Sequence, residues 1–282
     1  MPVLPSSLIE PLWQQFATLL PARPTVDPTH PLGCHRRRIG DRVVFEHVIA
    51  ALVHGSGLER IASIGCSDRT IRRRLAEWAD LGIGQQTFTA TLAAYEKMIG
   101  LDLADVAVDG CITKAVGGGE CTGRSPVDRG KGGTKRSVLV DALGVPLHVQ
   151  VAAANCHDSP LLAPTLAGLQ QLGPLPEHVT VHLDAGYDSR VTRALLADLG
   201  LGGRIATKGV KAPVQVGKRW VVERTHAWLN GFGKLRRLTD RDRGVAEFYT
   251  HLAAAITVIR RLINEARHRY RWATRPTTRR LR

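Results

Sequence analysis

At Leu101 the chain changes its hydrophobic period, and that change limits what it can fold into. Before it, apolar residues return at helical spacing: Val44, Val48, Ile49 and Leu52 form one stripe, and Leu75, Trp78 and Leu81 another. A shorter helical pattern precedes them (Leu8, Leu12, Phe16, Leu19, Leu20), followed by a proline-rich link over residues 21–31. After Leu101, β-branched runs separated by turn residues predict strands at 105–108, 137–140, 147–152, 179–183 and 204–207. Helical patterns at 160–172, 189–199, from about residue 220, and over 245–263 interleave with them. Three strands in succession and then alternating helix and strand predict an α/β fold, a mixed sheet flanked by helices, preceded by an all-helical domain. The expected division is 1–100 helical, 101–265 α/β, and a basic tail at 266–282.

Charge narrows the function. The 39 Lys and Arg against 25 Asp and Glu leave a formal charge of +14, and the pI is about 10.3. Such an excess favours a polyanionic partner, nucleic acid before a membrane surface. The cations cluster. Seven arginines and no acid follow residue 266, and residues 204–243 hold eleven basic against three acidic side chains. No run of eighteen apolar residues and no secretion signal is visible, so a cytoplasmic, nucleoid-associated protein is expected. The five cysteines, Cys34, Cys66, Cys111, Cys121 and Cys156, form no CxxC pair, and free thiols are expected rather than a zinc site.

Within the helical region, residues 58–78 read as a helix-turn-helix. Gly65 suits the turn, Ser67 the N-cap, and Ile71 and Leu75 the core side of the second helix. Arg69, Arg72 and Arg73 are then left on its exposed side, where they can reach phosphates or guanine edges. Ala62 stands one residue closer to Gly65 than is usual in such motifs.

Phosphodiester chemistry with divalent cations needs carboxylates converging from different elements. Asp109 ends the run Asp105-Val-Ala-Val-Asp109, with Gly110 behind it to permit close approach, and Asp184 ends Val179-Thr-Val-His-Leu-Asp184. Asp188 is read as the cap of the next helix. Glu223 is the third candidate, on a helix whose Val222, Thr225, Leu229 and Phe232 face inward while Arg219, Glu223, His226 and Asn230 share the polar side. Singly, Arg219 and Glu223 also read as an exposed i, i+4 ion pair. The glycine- and cation-rich segment 124–136, with Lys131, Lys135 and Arg136, could grip a phosphate backbone. Lys208, Lys211, Lys218, Arg219 and Arg224 surround the Glu223 helix and could hold the strand being cut. Trp220 and Trp228 are read as core.

These blocks in this order, Val108-Asp-Gly, then the segment from Gly123 to Leu147, Asp184-Ala-Gly-Tyr-Asp-Ser, and Arg219-Trp-Val-Val-Glu-Arg-Thr-His, closely resemble the DDE transposases of bacterial insertion sequences, specifically the insertion-sequence-5 family. The resemblance covers nearly the whole chain. It implies an RNase H-like catalytic core with one Asp on the first strand, a second just after the fourth, and a Glu on a later helix, positions matched by Asp109, Asp184 and Glu223. It also implies two Mg²⁺ or Mn²⁺ ions per site, terminal inverted repeats and target DNA as partners, and a homo-oligomer assembled on DNA. The wider signature has a Tyr seven residues before the Glu, an Arg four before it and a Lys seven after it. Here these positions hold Val216, Arg219 and Asn230, so only the Arg is kept. A DNA-binding regulator with a degenerate second domain is the alternative, and an RNase H-like nuclease for branched or hybrid substrates a third reading.

Overall fold

The computed structural model describes residues 3–22, 38–207 and 218–270. Its sheet comprises β1 (Asp105–Ala115), the two-residue β2 (Gly123–Arg124), β3 (Gly132–Val140), β4 (Pro146–Ala153), β5 (Thr180–Leu183), β6 (Gly202–Ile205) and the short β7 (Arg237–Leu238). β1 pairs antiparallel with β3, and β3 with β4, while β5 lies parallel to β1 and β6 parallel to β5. The five long strands therefore run β4-β3-β1-β5-β6 across the sheet. Antiparallel neighbours need only a tight turn, whereas the parallel ones need crossovers, here made by helices. The sheet is mixed, as expected, with Asp109 on its first long strand and Asp184 directly after its fourth.

The β3–β4 turn shows how local sequence fixes the frame. The buried Asp141 carboxylate accepts from the backbone N–H groups of Leu143 (2.9 Å) and Val145 (2.8 Å), and Gly144 takes the φ of +78° that a side chain would resist. Pro146 then opens β4, the strand position where its missing N–H costs least.

Ten helices surround the sheet: α1 (Ser6–Thr18), α2 (Asp41–His54), α3 (Leu58–Ile61), α4 (Asp68–Asp80), α5 (Ile83–Met98), α6 (Asp158–Leu166), α7 (Arg190–Asp198), α8 (Trp220–Asn230), α9 (Gly233–Arg236) and α10 (Arg243–Arg269), counted among the described residues. α10 buries Phe248, Leu252, the three alanines 253–255, Ile256, Val258 and Ile259. An element apolar over so much of its circumference must be covered on several sides. It touches α1, α4 and α5 as well as β4. Phe16 of α1 meets Phe248 of α10 edge to face at 6.3 Å. A side chain at Gly84 would press on the Phe248 backbone at 3.0 Å, and one at Gly55 would collide with the Gly233 backbone at 2.7 Å. The change of texture at Leu101 thus separates kinds of secondary structure but not cores: one apolar cluster runs through both regions.

Several expected boundaries move. β1 continues to Ala115, well past residue 108, because Gly110 to Lys114 pair with β3 even though Gly110, Thr113 and Lys114 interrupt the apolar alternation. The helix expected at 160–172 begins at Asp158 and tightens into a 3₁₀ turn over Ala167–Gln171. There, a Cβ on Gly168 would fall 2.3 Å from that of His148, so this segment lies directly on β4. Asp188 does not cap α7. Ser189 does, accepting from the Thr192 N–H at 3.1 Å, while Asp188 pairs with Arg193.

Candidate active site

β1 and β5 bring two carboxylates to one place. Their parallel register pairs Ala107 with His182, and two residues further along each strand stand Asp109 and Asp184. Neighbouring strands lie about 4.8 Å apart, so the two acids leave the C-terminal end of this parallel pair side by side. The C-terminal edge of parallel strands is where α/β folds gather their ligand sites. Beneath them, the buried His182 meets Asp105 at 2.7 Å and ties the two strands together. Asp184 turns the chain by accepting from the Gly186 N–H, so small residues must follow it.

The third carboxylate comes from α8. Its position is set by the β3–β4 turn: Thr225 donates to the Gly144 carbonyl (2.7 Å) and Arg224 to that of Leu143 (2.6 Å). On the other side of the helix, His226 donates from Nε2 to the backbone carbonyl of Asp109 (3.3 Å). Burial pushes the His226 pKa down to about 3, so the ring is neutral at ordinary pH. Glu223, one turn earlier, is exposed and makes no hydrogen bond or ion pair among the described residues, so the i, i+4 pair with Arg219 is not formed. The helix face expected to be polar and solvated is in fact the one laid against β1: His226 is buried and Asn230 half-buried.

Asp109 carries the electrostatic signature of the site. Its carboxylate receives one hydrogen bond, from the Gly110 N–H at 2.7 Å. Burial, followed by the charges of Asp184, Asp158 and Glu223, pushes its pKa up to about 7. All three acids are therefore close enough to oppose its ionisation. Among the described residues, no three His, Cys, Asp or Glu side chains are drawn together tightly enough to hold a metal ion as they stand. The donor chemistry nevertheless suits one. The donors are all oxygen, and Asp109 is a half-buried carboxylate with no cationic partner among the described residues, the set that hard divalent ions select.

Asp158 escapes the sequence reading. It lies in the first turn of α6 and accepts from the buried Lys135 ammonium at 2.9 Å. A Cβ on Gly110 would fall 2.3 Å from its Oδ1, so what approaches Gly110 closely is this carboxylate. A helix expected to start at residue 160 left Asp158 just outside it. An acid at the start of a helix following a strand was the available signal.

The expected cations divide into two groups. Lys135 and Arg136 are buried and correct the expectation of a phosphate grip: Lys135 neutralises Asp158, and Arg136 donates to Thr113 Oγ1 (3.1 Å), the Leu235 carbonyl (2.8 Å) and Asn230. Asn230 thus serves Arg136 at the position where the wider signature has Lys. Arg224 lies between the rings of Trp220 (4.5 Å) and Trp228 (4.8 Å), and Trp220 is 41% exposed instead of core. Lys218 is exposed and pairs with Asp105, Arg219 sits half-buried at the N-cap of α8, and Lys131 is exposed. Lys208, Lys211 and Val216 lie outside the described residues, as do Cys34, most of the proline-rich link and most of the tail.

In the helical region, α3 is a single turn that ends at Ala62. Ser63 and Cys66 then exchange two backbone hydrogen bonds of 3.0 Å, and Ser67 caps α4 by accepting from Thr70. Ile71 and Leu75 are buried, and Arg69, Arg72 and Arg73 are exposed. Arg72 is shared with Glu59 at 2.6 Å, a surface pair weak enough to exchange for a phosphate.

Residues 104–258, more than half of the chain, match the family model described as the transposase DDE domain. The chain belongs to that family. A curated protein of Burkholderia cepacia, named as a transposase for insertion sequence element IS402, is 39% identical over 126 residues, 43% of this chain and 60% of the relative. The chain thus spans about 60% of that relative's length. Among solved structures, the catalytic domain of the Mos1 mariner transposase aligns with 68% of this chain and 91% of its own, at 12% identity and a TM-score of 0.33. The Mos1 mariner paired end complex with Mn aligns with 93% and 86%, at 13% identity and 0.27. Superpositions this loose carry no residue correspondence. No described helix of this DDE-family chain is long and apolar enough to cross a membrane.

Proposed function

We propose that this protein cuts DNA at the terminal inverted repeats of an insertion sequence and joins the freed 3′ ends to target DNA, with Asp109, Asp184 and Glu223 as its catalytic carboxylates. The observation that carries the reading is Asp109: a half-buried carboxylate whose ionisation is opposed by three other acids, in a family member of net charge +14. An acid partly withdrawn from water and surrounded by like charge weakens the fold unless a cation is its working partner. Mg²⁺ or Mn²⁺ held there, two ions in the full site, would supply activation of the attacking oxygen and stabilisation of the leaving one.

The chain's own residues do the positioning. β1 and β5 set Asp109 and Asp184 side by side, and His226 ties α8 to the Asp109 backbone one helical turn from Glu223. With no partner of its own, Glu223 is free to move toward the other two. Arg69, Arg72 and Arg73 on α4 would read or grip the duplex, and copies of the chain would assemble on paired ends. Lys218 and Arg219, at the start of α8, are placed to meet the strand beside Glu223.

The test is nicking of duplex end DNA with Mn²⁺ by the full chain. The wild type should cut, whereas Asp109→Asn and Glu223→Gln should bind the same DNA and leave it intact. Near-normal cutting by either variant overturns the assignment.

A further inference from the structure

Along β1, beyond the acids, the sheet carries a feature that costs stability. The last two residues of β1 pair in parallel with β7, and this register sets Lys114 directly beside Arg237. Like charges opposite each other across a strand pair are destabilising. Both side chains are exposed, and neither forms an ion pair among the described residues. Arg236 precedes Arg237, and Lys131, in the loop between β2 and β3, lines the same groove as Arg237 and is again exposed and without an acid partner among the described residues.

These four cations line one groove. Its two lobes, about 480 and about 670 Å³, share Lys114, Asp128, Gly132 and Arg237. Val127 (77% exposed) and Val116 (52% exposed) stand at its walls. Among the described residues, Asp128 is the only acid that lines either lobe, and its Oδ2 is buried without a hydrogen-bond partner. The groove offers four positive charges against one negative, with aliphatic surface between them.

We infer that this groove is a binding track for the phosphate backbone of the DNA, holding it away from the cut. A repeating polyanion relieves the repulsion between Lys114 and Arg237, and its sugars suit Val116 and Val127. Five residues of strand separate Asp109 from Lys114, about 17 Å at about 3.4 Å per residue. That distance corresponds to about five base pairs of duplex from the scissile phosphate. The inference rests on the proposed DNA-cutting function and extends it to a second contact zone.

The experiment uses the full chain and a 30-base-pair duplex of mixed sequence, with binding followed by fluorescence anisotropy across a salt series. Each lost phosphate contact lowers the slope of log K against log salt by about 0.9. Lys114→Ala/Arg237→Ala should therefore flatten the slope by about 1.8 and weaken binding roughly tenfold at physiological salt. Asp128→Asn removes the opposing charge and should tighten binding roughly threefold. The melting temperature of the double variant should hold or rise, since a repulsion has been removed. An unchanged slope and affinity in the double variant, with the wild type still binding, overturns the groove. Failure of the wild type to nick end DNA while these binding differences persist overturns the cleavage function and leaves the groove standing.

Discussion

Asp109 is the residue at which folding and the proposed chemistry conflict most directly. Its pKa is about 7 in the folded chain, against 3.8 for the free side chain. A raised carboxyl pKa adds stability that is fully present below about 3.8 and is lost as pH rises through about 7. The ionised form at pH 8 therefore weakens the metal-free fold by roughly 4 kcal/mol at the upper end. Asp109→Asn should melt higher than wild type, with a gap that widens from pH 5 to pH 8. Mn²⁺ at pH 8 should raise the wild-type melting temperature and leave that of the variant nearly unmoved. A gap independent of pH, or an equal metal effect on both proteins, would show that Asp109 is neither strained nor a ligand. At this scale the sequence was informative about strand-end acids followed by small residues, which is how Asp109 and Asp184 stand out. It said little about Asp158, whose relevance depends on where α6 begins, or about Trp220, which leaves the core to stack on Arg224.

Elements decide which charges are available to a ligand. Lys135 and Ile112 are register partners of β3 and β1, and α6 covers Lys135 so that its side chain is 6% exposed. A lysine in a glycine-rich cationic segment looks like a phosphate contact until that helix is placed over it. Only the position of α6, carrying Asp158, turns it into half of a partly buried ion pair. Asp158→Asn should strand the Lys135 ammonium and cost roughly 1–3 kcal/mol, less than a fully buried pair because the Asp158 side chain is 38% exposed. Adding Lys135→Met should recover at least half of that loss, since the pair is then replaced by apolar contact. Urea denaturation of the two single variants and the double variant measures the coupling. Strictly additive losses would mean that the two side chains do not depend on each other. The same logic explains why α8 was misread by face: period alone shows that Glu223, His226 and Asn230 share a side, but not that this side meets β1.

At the scale of the whole molecule, the change of texture at residue 101 marked the start of the sheet correctly but gave no sign of how the two regions are joined. The joint is made by α10, at the far end of the chain, which no local pattern connects to α1 or α5. Phe248, Leu252 and Ile256 belong to the same cluster as Phe16, Phe45 and Trp78, and Gly55 and Gly233 touch backbone to backbone. Removing residues 1–100 would therefore expose the α10 stripe and open the contact between α2 and α9. Each large buried side chain so uncovered forfeits about 1.5–3 kcal/mol, and a few of them exhaust the margin of an ordinary domain. A fragment starting at Leu101 should lack a cooperative thermal transition and bind an apolar dye, whereas the full chain melts sharply. If the fragment instead melts cooperatively near the full-chain temperature, the two regions are independent units and the shared core is incidental. If α4 grips a duplex as proposed, strain there would pass through α10 to β4, and the helical region and the sheet would respond as one body.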